Sequence, residues 1–456
     1  MTTLVVVGGG ISGLTAAWAA AEAGFDVTVF EASLQVGGKL RTEQVGGVTL
    51  DVGAESMLTT RPEALQLIEE LGLADQRIAP LTTSARVRAG GRNHALPART
   101  MMGIPSDVEA ARASGALSEQ ALAAIAAEPA RDPLPPLTAD VAVGALVRDR
   151  LGDEVVDRFV EPLLGGVYSG RADALSLRAT VPKLAEALAD GGSLVEAARA
   201  AVTGAGTRAP GAGSIFTSLR GGIGRLPGAL AGSGRFTVRT SATVRKLVRT
   251  PTGFALTVGA TPQAECIDAD AVIVALPPSK AARLLRGVAP GAAGELHQVD
   301  TASSAIVALA FDDIDVPAGS GLLVGAGERL AVKALTLSTN KWPLDAGART
   351  VLRASVGRAG ETAALQLPDD ALVRLVRHEL RPLIGVTAEP IDAVVTRWGG
   401  GLPQYDVGHV ERIARVRADV AHVPGLAVCG AAFDGVGVPA CIASARAAVR
   451  AVRGGH

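Results

Sequence analysis

Residues 5–13 read VVVGGGISG and residues 27–31 read VTVFE, and the spacing between them decides the fold. A β-branched run ends in Gly8-x-Gly10-x-x-Gly13. A small-residue helix is expected over 14–23, Gly24 stops it, and a second apolar strand ends in an acid. Gly8 permits the tight turn out of the strand, Gly10 lets a diphosphate approach the backbone, and Gly13 lets the helix pack close to the sheet. Around them Gly9, Ile11 and Ser12 complete the turn, where free N–H groups and the positive end of the helix dipole face the phosphates. Glu31, followed by Ala32, accepts the ribose hydroxyls, and an acid rather than an arginine at this point disfavours a 2′-phosphate. The competing reading is an ordinary glycine-rich strand–helix turn. The strand before, the helix after and the acid about 20 residues on argue against it.

Gly37-Gly38-Lys39-Leu40-Arg41 follows, and then Asp51-Val52-Gly53-Ala54-Glu55-Ser56. The second glycine pair brings more backbone N–H groups to the dinucleotide, and Lys39 and Arg41 add positive charge near its phosphates. A simple NAD domain does not need this extension. The pattern resembles the FAD-binding segment of the amine-oxidase and porphyrinogen-oxidase superfamily, whose members carry a GG doublet after the first βαβ unit. The resemblance implies non-covalent FAD with its isoalloxazine ring directed toward a second domain. It extends the cofactor-binding set to Gly38, Lys39, Gly53, Ala54, Glu55 and Ser56.

With 456 residues, 48% of them hydrophobic, the chain is long enough for more than one domain around a large core. A net charge of −1 provides no global field for nucleic acid or an anionic membrane. The arginines at 412, 415 and 417 and at 446, 450 and 453 read as solvated helix faces. Cys266, Cys429 and Cys441 show no CxxC spacing and no His companions, so neither a disulfide framework nor a metal site is expected, and a reducing cytoplasm fits. Met1 leads straight into a strand without a charged n-region, and no run of about 18 apolar residues occurs, so neither a signal peptide nor a spanning helix is expected.

Further along, 84–97 alternates as a hairpin turning at Ala89-Gly90-Gly91-Arg92, residues 106–205 carry helical spacing, and 204–213 reads as a glycine-rich loop. Residues 235–259 alternate as a β-meander. Residues 271–276 are a continuous apolar run ended by Pro277-Pro278, as a buried parallel strand would be. Strands over 305–311, 331–337 and 352–356 are assigned to a second sheet over the cofactor. The segment 425–430 is a last buried strand, and Gly435-Val436-Gly437-Val438-Pro439 opens an alanine-rich helix over 441–452. This strand–turn–helix repeats the logic of the first and makes Val436, Gly437 and Val438 a second dipole site, facing the flavin; a plain helix-capping turn is the alternative. The expected class is α/β: an FAD-binding Rossmann-like domain of amine-oxidase or glutathione-reductase type (1–83, 214–283 and 396–456), an inserted substrate β-sheet domain (84–105 and 284–395) and a helical domain (106–213).

A narrower likeness rests on several strings. These are Glu161-Pro162-Leu163-Leu164-Gly165-Gly166-Val167-Tyr168-Ser169-Gly170, Gly221-Gly222-Ile223-Gly224-Arg225-Leu226-Pro227, Pro403-Gln404-Tyr405 with Gly408-His409, and Cys441-Ile442 after the last glycine turn. In this order they resemble the bacterial porphyrinogen oxidases over nearly the whole chain. Met102-Gly103-Ile104-Pro105 and Lys341-Trp342-Pro343 look more like the Gram-positive branch, which oxidises coproporphyrinogen III to coproporphyrin III in haem biosynthesis. Glu55 stands where the protoporphyrinogen branch often has an arginine.

The resemblance implies that the flavin takes hydride from the macrocycle and O2 reoxidises it to H2O2, so no His/Asp/Ser constellation is needed. It implies a Gly165–Gly166 backbone near flavin and macrocycle with Tyr168 nearby, and a Val244 backbone against the adenine. Arg99, Arg171, Arg178 and Lys341 stand in matching segments as cations for the propionates. Gly166 reads alternatively as a helix C-cap, each of those cations as an ordinary surface charge, and His409 as structural. Protoporphyrinogen IX is the alternative substrate. An amine oxidase or carotenoid desaturase is more remote, since two tyrosines and three tryptophans leave little material for an aromatic cage. A non-catalytic FAD-binding partner of the haem pathway is the remaining class. Residues 106–127 lack the faces of an interfacial helix, so a soluble enzyme is expected, with transient contacts to haem-pathway enzymes and at most peripheral contact with a membrane.

Overall fold

The computed structural model describes residues 2–204 and 214–454. The loop expected over 204–213 therefore lies, Gly204 apart, outside the described residues. Thr3–Val7 is β-branched and buried over four of its five residues, as the central strand of a parallel sheet requires. It lies at the middle of a five-stranded parallel sheet ordered Thr237–Arg239, Asp26–Phe30, Thr3–Val7, Ala271–Val274, Leu426–Val428. The first helix is longer at its start than expected: it runs over Ile11–Glu22, directly after Gly10. The C-terminal helix Val438–Gly454 packs beside it, and with Leu4, Val6, Leu226 and Ile442 the two form one apolar layer. Helices Pro278–Leu285 and Pro290–His297 cover the other face of the sheet through Leu285, Ala292 and Leu296 against Val5 and Val272. Against the expected boundary at 284, these helices belong with the nucleotide-binding sheet, because their apolar faces point to it.

The alternating stretch 235–259 divides in the structure. Thr237–Arg239 pairs in parallel with Asp26–Phe30, while Val244–Arg249, Phe254–Val258 and Glu265–Ala269 form the antiparallel meander. A strand of three residues carries too little periodicity to be told from its neighbours.

The second sheet has seven strands, ordered Asp392–Pro403, Thr301–Asp312, Arg349–Val356, Val332–Leu337, Gly321–Val324, Ala85–Ala89, Arg92–Ala95. Its first strand crosses the expected boundary at 395/396, since it pairs with Thr301–Asp312 from Asp392 to Trp398 and, after a register shift, again at Leu402 and Pro403. One face of the sheet packs Val307, Leu335, Leu352 and their neighbours on helix Asp369–Ile384. On the opposite face Ile306, Ala308, Ala310 and Val351 meet the hairpin of Thr42–Val45 and Val48–Asp51. By period-two alternation Leu323, Thr336 and Ser355 lie on that same opposite face, where they are only partly buried. Helix Glu161–Tyr168, preceded by a π-helical turn over Val156–Val160, packs against Gly321–Val324 and Val332–Leu337. It belongs to a helical cluster built around Phe159, Leu164, Leu175 and Leu184. Among the described residues no helix is long and apolar enough to cross a membrane, and no group of three or more His, Cys, Asp or Glu is placed to hold a metal ion.

Candidate active site

The glycine fingerprint and the glycine doublet dock on one another. Gly37 N–H donates to the Gly9 carbonyl at 2.8 Å, and Gly10 bridges Gly37 in parallel register. A Cβ on Gly8, whose φ is +112°, would come 2.5 Å from the Ala275 carbonyl oxygen, and one on Gly13 would overlap the Gly8 carbonyl oxygen. Helix Ile11–Glu22 begins with no side-chain cap and no acid in its first turn, so its dipole end is left for an anion. Helix Val438–Gly454 packs along helix Ile11–Glu22, which brings its start, with Val436, Gly437 and Val438, close to the start of the first, and the Cys441 thiol donates to the Gly435 and Val436 carbonyls. Glu31 Oε2 accepts from Gly9 N–H at 2.7 Å and Oε1 from Ser33 N–H at 2.8 Å. It stands directly after strand Asp26–Phe30, with Ala32 exposed next to it. Val244 opens the meander close by, since Ala242 N–H donates to the Glu31 carbonyl at 2.9 Å. Lys39 donates to the Gly401 carbonyl, and burial lowers its pKa from the ordinary 10.5. A bare cradle of glycine backbone, an uncapped helix start and a desolvated cation fit a dinucleotide with a diphosphate.

Gly53, Ala54, Glu55 and Ser56 form the rim between this cradle and the second sheet. Ala54 N–H donates to the Lys39 carbonyl at 3.1 Å, and a Cβ on Gly53 would overlap that same oxygen. From the second sheet, Trp398 Nε1–H donates to the Val52 carbonyl at 3.0 Å and Arg353 to the Gly53 carbonyl at 2.7 Å. The Glu55 carboxylate bridges Arg353 and Lys341. Burial alone would raise the Glu55 pKa, but the two cations hold it down at about 2. Asp51 accepts from Ile223 and Gly224 N–H, both at 3.0 Å, and burial pushes its pKa up to about 6.

Gly166 lies inside helix Glu161–Tyr168 rather than at its end. The cap is Ser169, left-handed at φ +53°. Gly166 and Val167 are exposed, and a Cβ on Gly166 would face Leu323 of the second sheet at 3.5 Å. The helix thus presents bare, exposed backbone beside the second sheet. Tyr168 is buried with its ring centroid 5.5 Å from that of Tyr405, which stacks in turn on His409 at 4.1 Å. His409 Nε2 meets the Ala432 carbonyl at 2.9 Å, and burial lowers its pKa to about 4, which suits a packed, neutral ring. Arg171 pairs with Glu161 and Glu361 and, with Arg358, Ser303, Gln404 and Asp406, lines a cavity of about 310 Å³ at the end of the sheet. Arg99 pairs with Asp107, Arg178 with Glu411 and Lys341 with Glu55, so each has a carboxylate partner.

Sequence reading misses Arg353, Trp398 and Lys333. All three sit in strands, where a lone polar residue reads as facing solvent. The only usable signal is that Arg353 interrupts the otherwise apolar stretch Val351-Leu352-Arg353-Ala354.

A parallel sheet with a doubled glycine cradle, tied through Val52–Glu55 to a second sheet, is the arrangement of a flavin-dependent oxidoreductase. The chain belongs to the flavin containing amine oxidoreductase family, whose model matches residues 11–453. It is 41% identical to the coproporphyrinogen III oxidase of Mycobacterium leprae, over 98% of this chain and 97% of that protein. It is 33% identical to the coproporphyrinogen III oxidase of Bacillus subtilis, over 98% and 97% of the two chains. Among solved structures, a protein from Exiguobacterium sp. 255-15 whose name places it with the protoporphyrinogen oxidases superposes with a TM-score of 0.87 at 33% identity, covering 99% of this chain and 98% of its own. The family and these relatives make the chain an FAD-dependent oxidoreductase.

Proposed function

We propose that this protein oxidises coproporphyrinogen III to coproporphyrin III in haem biosynthesis, with O2 as acceptor and H2O2 as the second product. The observation that carries the reading is end-to-end similarity to proteins of that name at 41% identity, with exposed backbone at Gly166 that has no side chain to obstruct a flat macrocycle. FAD, once bound, supplies the hydride acceptor. In this reading Gly8–Gly13, Glu31, Gly38, Lys39, Gly53–Ser56, Val244 and Val436–Val438 hold it. The chain's own work is then orientation and exclusion of water. The exposed backbone of Gly166 on helix Glu161–Tyr168 offers the macrocycle a flat seat, and pyrrole protons leave by tautomerism to water. The Glu55 bridge ties the cofactor rim to the sheet that carries the substrate.

Amine oxidation is disfavoured by the fate of the chain's two tyrosines. Tyr168 and Tyr405 are both buried and spent on one another and on His409, which leaves neither for an aromatic cage. The reading places the enzyme in the cytoplasm, with at most transient contact with haem-pathway enzymes or a membrane surface. Purified yellow protein supplied in air with coproporphyrinogen III and, separately, protoporphyrinogen IX provides the test, followed by porphyrin fluorescence and peroxide. Faster turnover of coproporphyrinogen III is expected. A preference for protoporphyrinogen IX would move the protein to the other branch, and no turnover of either would overturn both.

A further inference from the structure

Lys333 is a strand residue, yet it is only 5% exposed. The backbone explains how it comes to be buried. Val332 pairs with Val356 and Ala334 with Ser355, so Lys333 is the extra residue of a β-bulge in Val332–Leu337. A bulge re-aims a side chain that simple alternation would direct elsewhere. Lys333 Nζ reaches helix Glu161–Tyr168 and donates to the Ser169 hydroxyl, three residues beyond the exposed backbone of Gly166.

Its surroundings are short of negative charge. Three cations meet here, Lys333, Arg358 and Arg171, with two carboxylates, Glu161 and Glu361. Arg171 pairs with both carboxylates and Arg358 with Glu361, so the cation left over is Lys333. Burial, and then repulsion from Arg358, lower its pKa to about 7. A buried ammonium without a counter-charge is costly to keep, and an arriving anion removes that cost. Every cation that the sequence offers for the propionates already has a carboxylate; Lys333 has none among the described residues.

We propose that Lys333, held by Ser169 at the end of the glycine-bearing helix, anchors one carboxylate of an anionic tetrapyrrole lying against the exposed backbone of Gly166. The anchor rests on the reading of a porphyrinogen as substrate and adds to it a specific positioning residue. An ammonium–carboxylate hydrogen bond replaces the neutral one to Ser169, and charge-assisted bonds are the stronger kind. Lys333→Met is expected to fold, because it removes an uncompensated buried charge while keeping the apolar stem.

The test uses FAD-loaded wild type, Lys333→Met and Lys333→Arg, titrated with coproporphyrin III and with its tetramethyl ester, together with steady-state kinetics on coproporphyrinogen III. Lys333→Met is expected to weaken coproporphyrin III binding and raise KM about tenfold while leaving kcat within about twofold, as loss of one charged contact made equally in ground and transition states would. Flavin absorbance stays unchanged, Lys333→Arg recovers most of the affinity, and the uncharged ester binds wild type and Lys333→Met alike. Equal affinity of wild type and Lys333→Met for coproporphyrin III overturns the anchor and leaves the substrate reading standing. A wild type that neither binds coproporphyrin III nor oxidises coproporphyrinogen III overturns the substrate reading, and the anchor with it.

Discussion

Replacing Glu55 with glutamine is expected to destabilise the protein by about 3–5 kcal/mol, the usual effect of removing one partner from a buried charge cluster. The carboxylate is mostly buried and bridges Arg353, itself 7% exposed at the side chain, and Lys341. The variant leaves both cations in place without a counter-ion, at the junction between the cofactor rim and the second sheet. Thermal unfolding followed by flavin fluorescence should therefore show release of FAD at a clearly lower temperature than in the parent. A transition within a degree of the parent's would show that the bridge contributes nothing. The same bridge predicts a pH dependence. Burial opposes the ionised form, but the Arg353 and Lys341 cations hold the folded-state pKa at about 2, below the ordinary 4.5. The stabilisation is thus complete above about pH 4.5 and is lost as pH falls toward 2. In that window the parent's midpoint should fall more steeply than that of Glu55→Gln.

The largest effect is expected at Gly13. An alanine there would set its Cβ on the Gly8 carbonyl oxygen and 3.3 Å from Ala275 Cβ. Neither neighbour can yield, since Gly8 N–H is bonded to the Phe30 carbonyl at 2.8 Å and Ala275 N–H to the Val7 carbonyl at 2.9 Å. Overpacking of this kind costs several kcal/mol and would push the helix off the sheet. Gly13→Ala should be recovered colourless or insoluble, as the absorbance ratio at 450 and 280 nm would report. Gly228→Ala, a helical glycine with open space around its Cβ position, is the matched control and should remain yellow. A normally flavinated Gly13→Ala would show that the close approach is not required.

How much of this was legible depended on how far each feature is local. The βαβ fingerprint, the glycine doublet and the last strand–turn–helix are contiguous, and their residues carry the reason for their geometry. Val332–Leu337 was legible as a strand but not as a bulged one. The bulge is a property of its pairing with Arg349–Val356, and without it Lys333 looks solvated. Lys341 illustrates the same gap from the other side. Its segment was found, but its partner Glu55 lies 286 positions away and is set by tertiary packing. The expected boundary at 284 cuts helix Pro278–Leu285 two residues before its end and puts Pro290–His297 with the other sheet, because an apolar helix face does not state which sheet it will cover.

The order in which the nucleotide-binding sheet is assembled also bears on how the protein is made. Its strands come from near the start, the middle and the last tenth of the chain, and the two helices on one of its faces, Ile11–Glu22 and Val438–Gly454, from opposite ends. During synthesis, strand Ala271–Val274 emerges with one edge unpaired until Leu426–Val428 follows, and the start of the first helix waits for the Val438–Gly454 turn to meet it. A nascent chain therefore holds an open, apolar sheet edge while residues 275–425 are made, the condition in which aggregation competes with folding. Loss of helix Val438–Gly454 would therefore be felt more than 400 positions earlier in the sequence, at the start of helix Ile11–Glu22.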